Sequence, residues 1–164
     1  MRRLRIPAVV LAAVAASSVV AASALAGTSG KTLAFSAKYA GKANVSVVDQ
    51  IASYTAIGKG KGKLIGVGKV TGKGAGDASK KPCSPFGGAG LMKGTKGSIS
   101  FKAVTQATAC GDQDGQIFSL SGRVKVLKGT GTFKHARGGI LKFTGVYDRG
   151  HGTFSVKFFG SLSA

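Results

Sequence analysis

Glutamate and tryptophan are absent from this 164-residue chain; its five acidic residues are all aspartates, and it has two cysteines, two histidines and three prolines. Two histidines leave little room for nucleophilic or metal chemistry. His135 and His151 stand in Gly-containing connections with no nucleophile motif beside them, and a zinc site needs three or four closely placed ligands. The acids of Cys110-Gly111-Asp112-Gln113-Asp114-Gly115 lack the further oxygen ligands and terminal glutamate of a calcium loop, so a polar turn is expected there. Without tryptophan, and with phenylalanines at alternating positions, stacking platforms for nucleic-acid recognition are missing; only nonspecific, salt-sensitive attraction is expected, with no specific nucleic acid as partner. No G-x-x-x-x-G-K-[ST] or G-x-G-x-x-G occurs, so no cofactor is implied.

The first residues carry a different message. Met1-Arg2-Arg3-Leu4-Arg5 is a cationic start, Ile6 to Ala22 is uncharged and rich in alanine and valine, and Ala24-Leu25-Ala26 is an A-x-A site before Gly27. This pattern predicts a cleaved secretory signal over residues 1–26 and a single domain over residues 27–164. The apolar stretch approaches membrane-spanning length, but the small residues at the cleavage positions and the polar Lys/Gly sequence that follows favour removal, leaving no transmembrane span in the mature form. Arg2-Arg3 raises the twin-arginine route, yet its surroundings do not complete that motif, so general export is expected. The mature protein is therefore assigned to a secreted, extracellular or cell-envelope location. There, the even pair Cys83 and Cys110 reads as a structural disulfide, stabilising the fold by ~3.5 kcal/mol on the chain-entropy model. Asn44-Val45-Ser46 is a glycosylation acceptor only in a host that modifies it.

Charge is one-sided. The formal charge of +19 falls to +16 once the three signal arginines are removed. What remains is mostly lysine, a hydrated point charge, and not the planar arginine fork suited to specific phosphate or base recognition. The expected partners are accordingly anionic polymers of a cell wall or polysaccharide. The run Lys59-Gly60-Lys61-Gly62-Lys63 looks superficially like a phosphate loop but lacks its spacing and helix. Read at period two, it projects Lys59, Lys61 and Lys63 from one face, as a candidate polyanion contact.

Helical periodicity is nearly absent after Gly27, and each interior glycine would weaken a helix by about 1 kcal/mol relative to alanine. Alternation instead predicts strands around Leu33–Tyr39, Ile99–Ala103, Phe118–Val126, Leu141–Tyr147 and Phe154–Leu162, with others over Val45–Ile51 and Lys61–Thr71 and an eighth within Ser84–Lys93. Such a series gives an antiparallel sandwich or barrel. Inward glycines at Gly122, Gly145 and Gly160 favour the barrel, whose closure removes exposed edges.

Within the C-terminal third, Gly129-Thr130-Gly131-Thr132-Phe133-Lys134-His135-Ala136-Arg137-Gly138 resembles the G-T-G-x-F-x-x-A-x-G turn of dirigent proteins and the allene oxide cyclase barrel-like superfamily, in a secreted, bacterial-type form. The likeness continues through the spaced glycines to Gly160-Ser161-Leu162. It implies an all-β, antiparallel, eight-stranded, calycin-like barrel with Phe133 plugging one end and a pocket at one end. The acidic groups with which plant members act on apolar substrates do not align here, so the resemblance transfers fold and not activity.

Two functional expectations follow. The first is a noncatalytic binding or envelope-associated module that meets anionic polymers through its lysines. The alternative is a carrier of a small apolar ligand, or a cyclase-like enzyme, using the barrel interior. For that interior, alternation with Val45, Val47 and Ile51 nominates Asp49 as an inward acid whose pKa burial would raise, with Tyr39, Tyr54 and Tyr147 as hydrogen-bonding neighbours. A register shift of one residue would instead leave Asp49 in solvent.

Overall fold

The computed structural model describes residues 31–104 and 107–163. The expected signal, residues 1–26, lies outside them. Nine strands follow in order: β1 (Thr32–Val48), β2 (Ile51–Gly62), β3 (Gly66–Asp77), β4 (Cys83–Gly94), β5 (Gly97–Ala103), β6 (Ala107–Gly111), β7 (Ile117–Gly131), β8 (Ile140–Asp148) and β9 (Thr153–Ser163). All pairings are antiparallel. Eight strands close a ring, β1-β2-β3-β4-β5-β7-β8-β9 and back to β1. Short β6 lies outside that ring of eight and continues the lane of β5, pairing with the same two neighbours, β4 and β7. The expected eight-stranded antiparallel barrel is thus present. No helix among the described residues is long and apolar enough to cross a membrane.

Two of the expected strands are hairpins. Val45–Ile51 bends at Asp49-Gln50, where φ is +48° and +66°, so that Val48 pairs with Ile51. A two-residue hairpin turn with both central residues left-handed reverses the chain with the twist that flanking strands require. Lys61–Thr71 likewise divides: β2 ends at Gly62, Ile65 is buried in the turn, and Gly66 at φ +77° starts β3.

Because successive antiparallel strands alternate direction, the connections fall at two ends. One end holds the β2–β3 and β4–β5 turns and the long β7–β8 connection, in which Thr132-Phe133 follow the Gly129-Thr130-Gly131 end of β7. Phe133 from that connection is 1% exposed and meets Phe35 edge-on, with ring centroids 5.9 Å apart. Ile65, Met92, Ile99, Val126, Ala136, Leu141 and Leu162 fill the space around it. The connection is tied to β7, Val126 N–H donating to the Gly139 carbonyl and Gly138 N–H to the Val126 carbonyl, both at 2.8 Å. Burying Phe133 fully stabilises this closure by roughly 1.5–3 kcal/mol. The barrel is packed solid here, and its other end is not.

Candidate functional site

On β2, β3 and β4 the hollow end is bounded by the small inward residues Ala52, Ala56, Gly72, Gly76 and Gly88, whereas Gly58, Gly60, Gly62, Gly68 and Gly94, which flank Lys59, Lys61, Lys69 and Lys93, lie toward the packed end. In β2, β3 and β4 the lysines project outward, and the positions between them turn inward, where Gly58, Gly60, Gly62, Gly68, Gly72, Gly74, Gly76, Gly88, Gly90 and Gly94 supply no side chain. Some of these glycines are required by close strand approach: a Cβ at Gly60 would collide with the Lys38 carbonyl. Gly72 is different, since a Cβ there meets nothing nearer than the Ala89 carbonyl oxygen at 3.8 Å. The opposite wall, from β5, β7, β8 and β9, brings in large side chains. Phe143 and Phe158 stand 5.8 Å apart and Phe101 and Phe158 5.3 Å apart, centroid to centroid.

The wall of mostly small residues, from which Tyr54 and Phe86 project, faces an aromatic one across a cavity of about 1000 Å³. The depth of the cavity is lined by Phe86, Phe101, Phe143, Phe154, Phe158 and Val124, with Gly72 and Ala56 on the small-residue side. The β1–β2 hairpin extends beyond β9, whose pairing with β1 stops at Lys42, and carries Val45 and Val47 along the lip. Lys81, Asp112, Gln113, Asp114 and Arg149 complete the rim from neighbouring turns.

Of the three tyrosines expected in the pocket, Tyr54 and Tyr147 line it and Tyr39 does not. Tyr54 Oη donates to the Gly87 carbonyl at 3.3 Å, and burial raises its pKa. Tyr147 packs against Phe118. Tyr39 is a core residue, 2% exposed, set edge-on to Phe158; its hydroxyl has no hydrogen-bond partner, and burial pushes its pKa up to about 12.

Asp49 does not face the interior. It occupies the exposed tip of the β1–β2 hairpin, because the alternation that nominated it runs through a chain reversal. The turn resets the phase: odd-numbered residues point inward on β1 and even-numbered ones on β2. Cys83 and Cys110 form the expected disulfide, joining β4 to β6 beside the mouth. His135 is exposed in the Phe133 connection. His151 is exposed in the β8–β9 turn, its Nδ1 2.7 Å from Asp148 Oδ2, and the His151 backbone and ring hold the Asp148 carboxyl below its ordinary pKa. The Asp112 carboxylate serves its own turn, accepting from Gln116 N–H at 2.8 Å. Among the described residues no group of three or more metal-ligating side chains converges.

Lys59 and Lys61 project from the outer face of β2 as expected; Lys63 lies past the strand end, in the turn. Neighbours that the sequence reading passed over extend this patch. Lys61 is directly opposite Lys38, which is opposite Lys157; Lys59 is opposite Lys69, which is opposite Lys93. The complement was also missed: Asp49, Asp77, Asp112, Asp114 and Asp148, the chain's five acids, all stand at the mouth, in or beside alternate turns. Counting turns along an all-antiparallel chain would have placed them together. Compared with protein-family models, curated proteins and solved structures, the chain matches none.

Proposed function

We propose that this protein is an exported, noncatalytic binding protein whose hollow barrel end holds a small apolar ligand. The observation that carries the reading is the cavity of about 1000 Å³ between the glycine wall and the phenylalanines. Ligand pockets run to roughly 300–1000 Å³ and combine apolar walls with a few polar groups. Here the polar groups lie at the rim. Below the rim the lining offers no carboxylate or histidine, and the Tyr54 hydroxyl is already engaged with a backbone carbonyl, which favours holding a ligand over transforming it.

The disulfide between Cys83 and Cys110 supports export into an oxidising compartment. Kinship with the dirigent and allene oxide cyclase barrels belongs to the same reading, supported by the eight-stranded ring and by the position of the Phe133 connection at the packed end. The test is native mass spectrometry of the mature protein taken gently from its host's secreted fraction. A discrete adduct that is lost on denaturation, and regained when an apolar extract is added back, is the expected result. A protein that stays at its bare oxidised mass after exposure to such extracts would refute a ligand-holding cup.

A further inference from the structure

The outer face of the glycine wall, continued over β1 and β9, holds an arrangement that a stable fold does not call for. Two rows of lysine cross the strands, Lys157–Lys38–Lys61 over β9, β1 and β2, and Lys59–Lys69–Lys93 over β2, β3 and β4. Directly opposite residues carry Cβ atoms about 5 Å apart, and like charges so placed repel. All six side chains are exposed, and among the described residues no lysine or arginine forms an ion pair with a carboxylate. The acids that could neutralise them are gathered at the mouth. The rows meet on β2, where Lys59 and Lys61 are two residues apart, so they form one stepped lattice across five of the eight ring strands.

We propose that this lattice is a docking surface for a flexible, linear, ringless phosphodiester polymer of the polyol-phosphate kind. Its extent argues for a flexible chain: with strands about 4.8 Å apart, the lattice curves around about half the barrel. A flat bilayer or a stiff duplex would touch only part of it. Its chemistry argues against ring-bearing polymers. The lattice contains no arginine fork, and the aromatic ring beside it, Phe159, is half-buried beneath Lys157 with the ammonium 5.6 Å from its centroid. Stacking recognition of single-stranded bases needs exposed rings. Six point charges without aromatic platforms read phosphate spacing and not bases. At the mouth carboxylates offset the cations Lys81 and Arg149, so the polymer is drawn to the wall and leaves the cavity open.

The experiment titrates labelled poly(glycerol phosphate) into the mature, oxidised protein. Binding should weaken at least tenfold between roughly 50 and 200 mM salt, as counterion release requires. The triple variant Lys38→Gln/Lys61→Gln/Lys69→Gln should lose about tenfold in affinity at the lower salt, while Lys96→Gln/Lys128→Gln/Lys134→Gln, which removes equal charge from exposed lysines that face no cation across a strand pair, loses less than about threefold. Equal losses in the two triples would reduce the effect to net charge and overturn the lattice. Tighter binding of anionic vesicles, duplex DNA or a polyuronate than of the polymer, at matched charge concentration, would overturn the assigned partner. Filling the cavity should leave polymer affinity unchanged, so this proposal and the ligand cup fail separately.

Discussion

The two walls of the barrel obey the same alternation and produce opposite interiors. Along β7, β8 and β9, outward Ser, Thr, Lys and Arg alternate with inward Phe, Leu, Val and Tyr, and the rings of Phe143 and Phe158 meet as cross-strand partners. Along β2 and β3 the inward residues at the hollow end are mostly small, Ala52, Ala56, Gly72 and Gly76, and Tyr54 alone brings a ring, which meets Phe86. Period two therefore fixes which face is inside, but the volume of the inward residue decides whether that inside is filled. The aromatic wall supplies stability and the glycine wall supplies space. The same glycine wall carries its charge outside, where it costs stability.

Substitutions on the two walls should separate these roles. Phe158→Ala removes a ring that contacts Tyr39, Phe101 and Phe143. It should cost about 3–5 kcal/mol in denaturant unfolding; a loss under about 1 kcal/mol would mean that the aromatic wall does not hold the barrel together. Next in size, Cys83→Ser/Cys110→Ser should cost ~3.5 kcal/mol, seen as a lower Tm than that of the oxidised protein. Tyr39→Phe removes a buried hydroxyl with no partner and should stabilise by about 1 kcal/mol.

That same variant has a pH signature. The Tyr39 hydroxyl, with its pKa raised from 10.0 to about 12, keeps its proton in the folded state where the unfolded chain has lost it. Stability should therefore fall as pH rises from about 10 to 12, and Tyr39→Phe should flatten that fall. The smallest effect comes from the outer face. Lys38→Gln relieves repulsion with both Lys61 and Lys157 and should stabilise by about 0.5 kcal/mol at low salt, the gain vanishing as salt rises. A destabilised Lys38→Gln at low salt would show that the rows carry no net repulsion.

Much of the barrel was legible because inward and outward residues differ so sharply in chemistry. Phe154 to Leu162 and Leu141 to Tyr147 give their register directly, and Phe133 in its Gly-rich connection gives the packed end. Reversals without a Gly or Pro marker were harder to read. Asp49-Gln50 puts two non-glycine residues at positive φ, so an apolar run continued across the bend in sequence and carried Asp49 to the wrong face. A pocket at one end was expected only from the family resemblance; its walls were not legible in the residues because hollowness depends on which strands face each other. The lysine lattice was only one-third visible: Lys59 and Lys61 share a strand, whereas Lys38, Lys69, Lys93 and Lys157 join them only through pairing register.

Small inward side chains on the glycine wall leave the cavity open, and the claim that a ligand occupies it is tested most directly by filling that space. Ala56 and Gly72 are cross-strand partners lining the cavity, and Gly72 has open space where its Cβ would stand. An environment-sensitive apolar fluorophore, titrated at high salt to silence the lysines, should bind the mature protein and lose at least about tenfold in affinity to Ala56→Phe/Gly72→Phe, with the Tm held or raised as the void fills. Undiminished fluorophore binding by that well-folded double variant would contradict the claim.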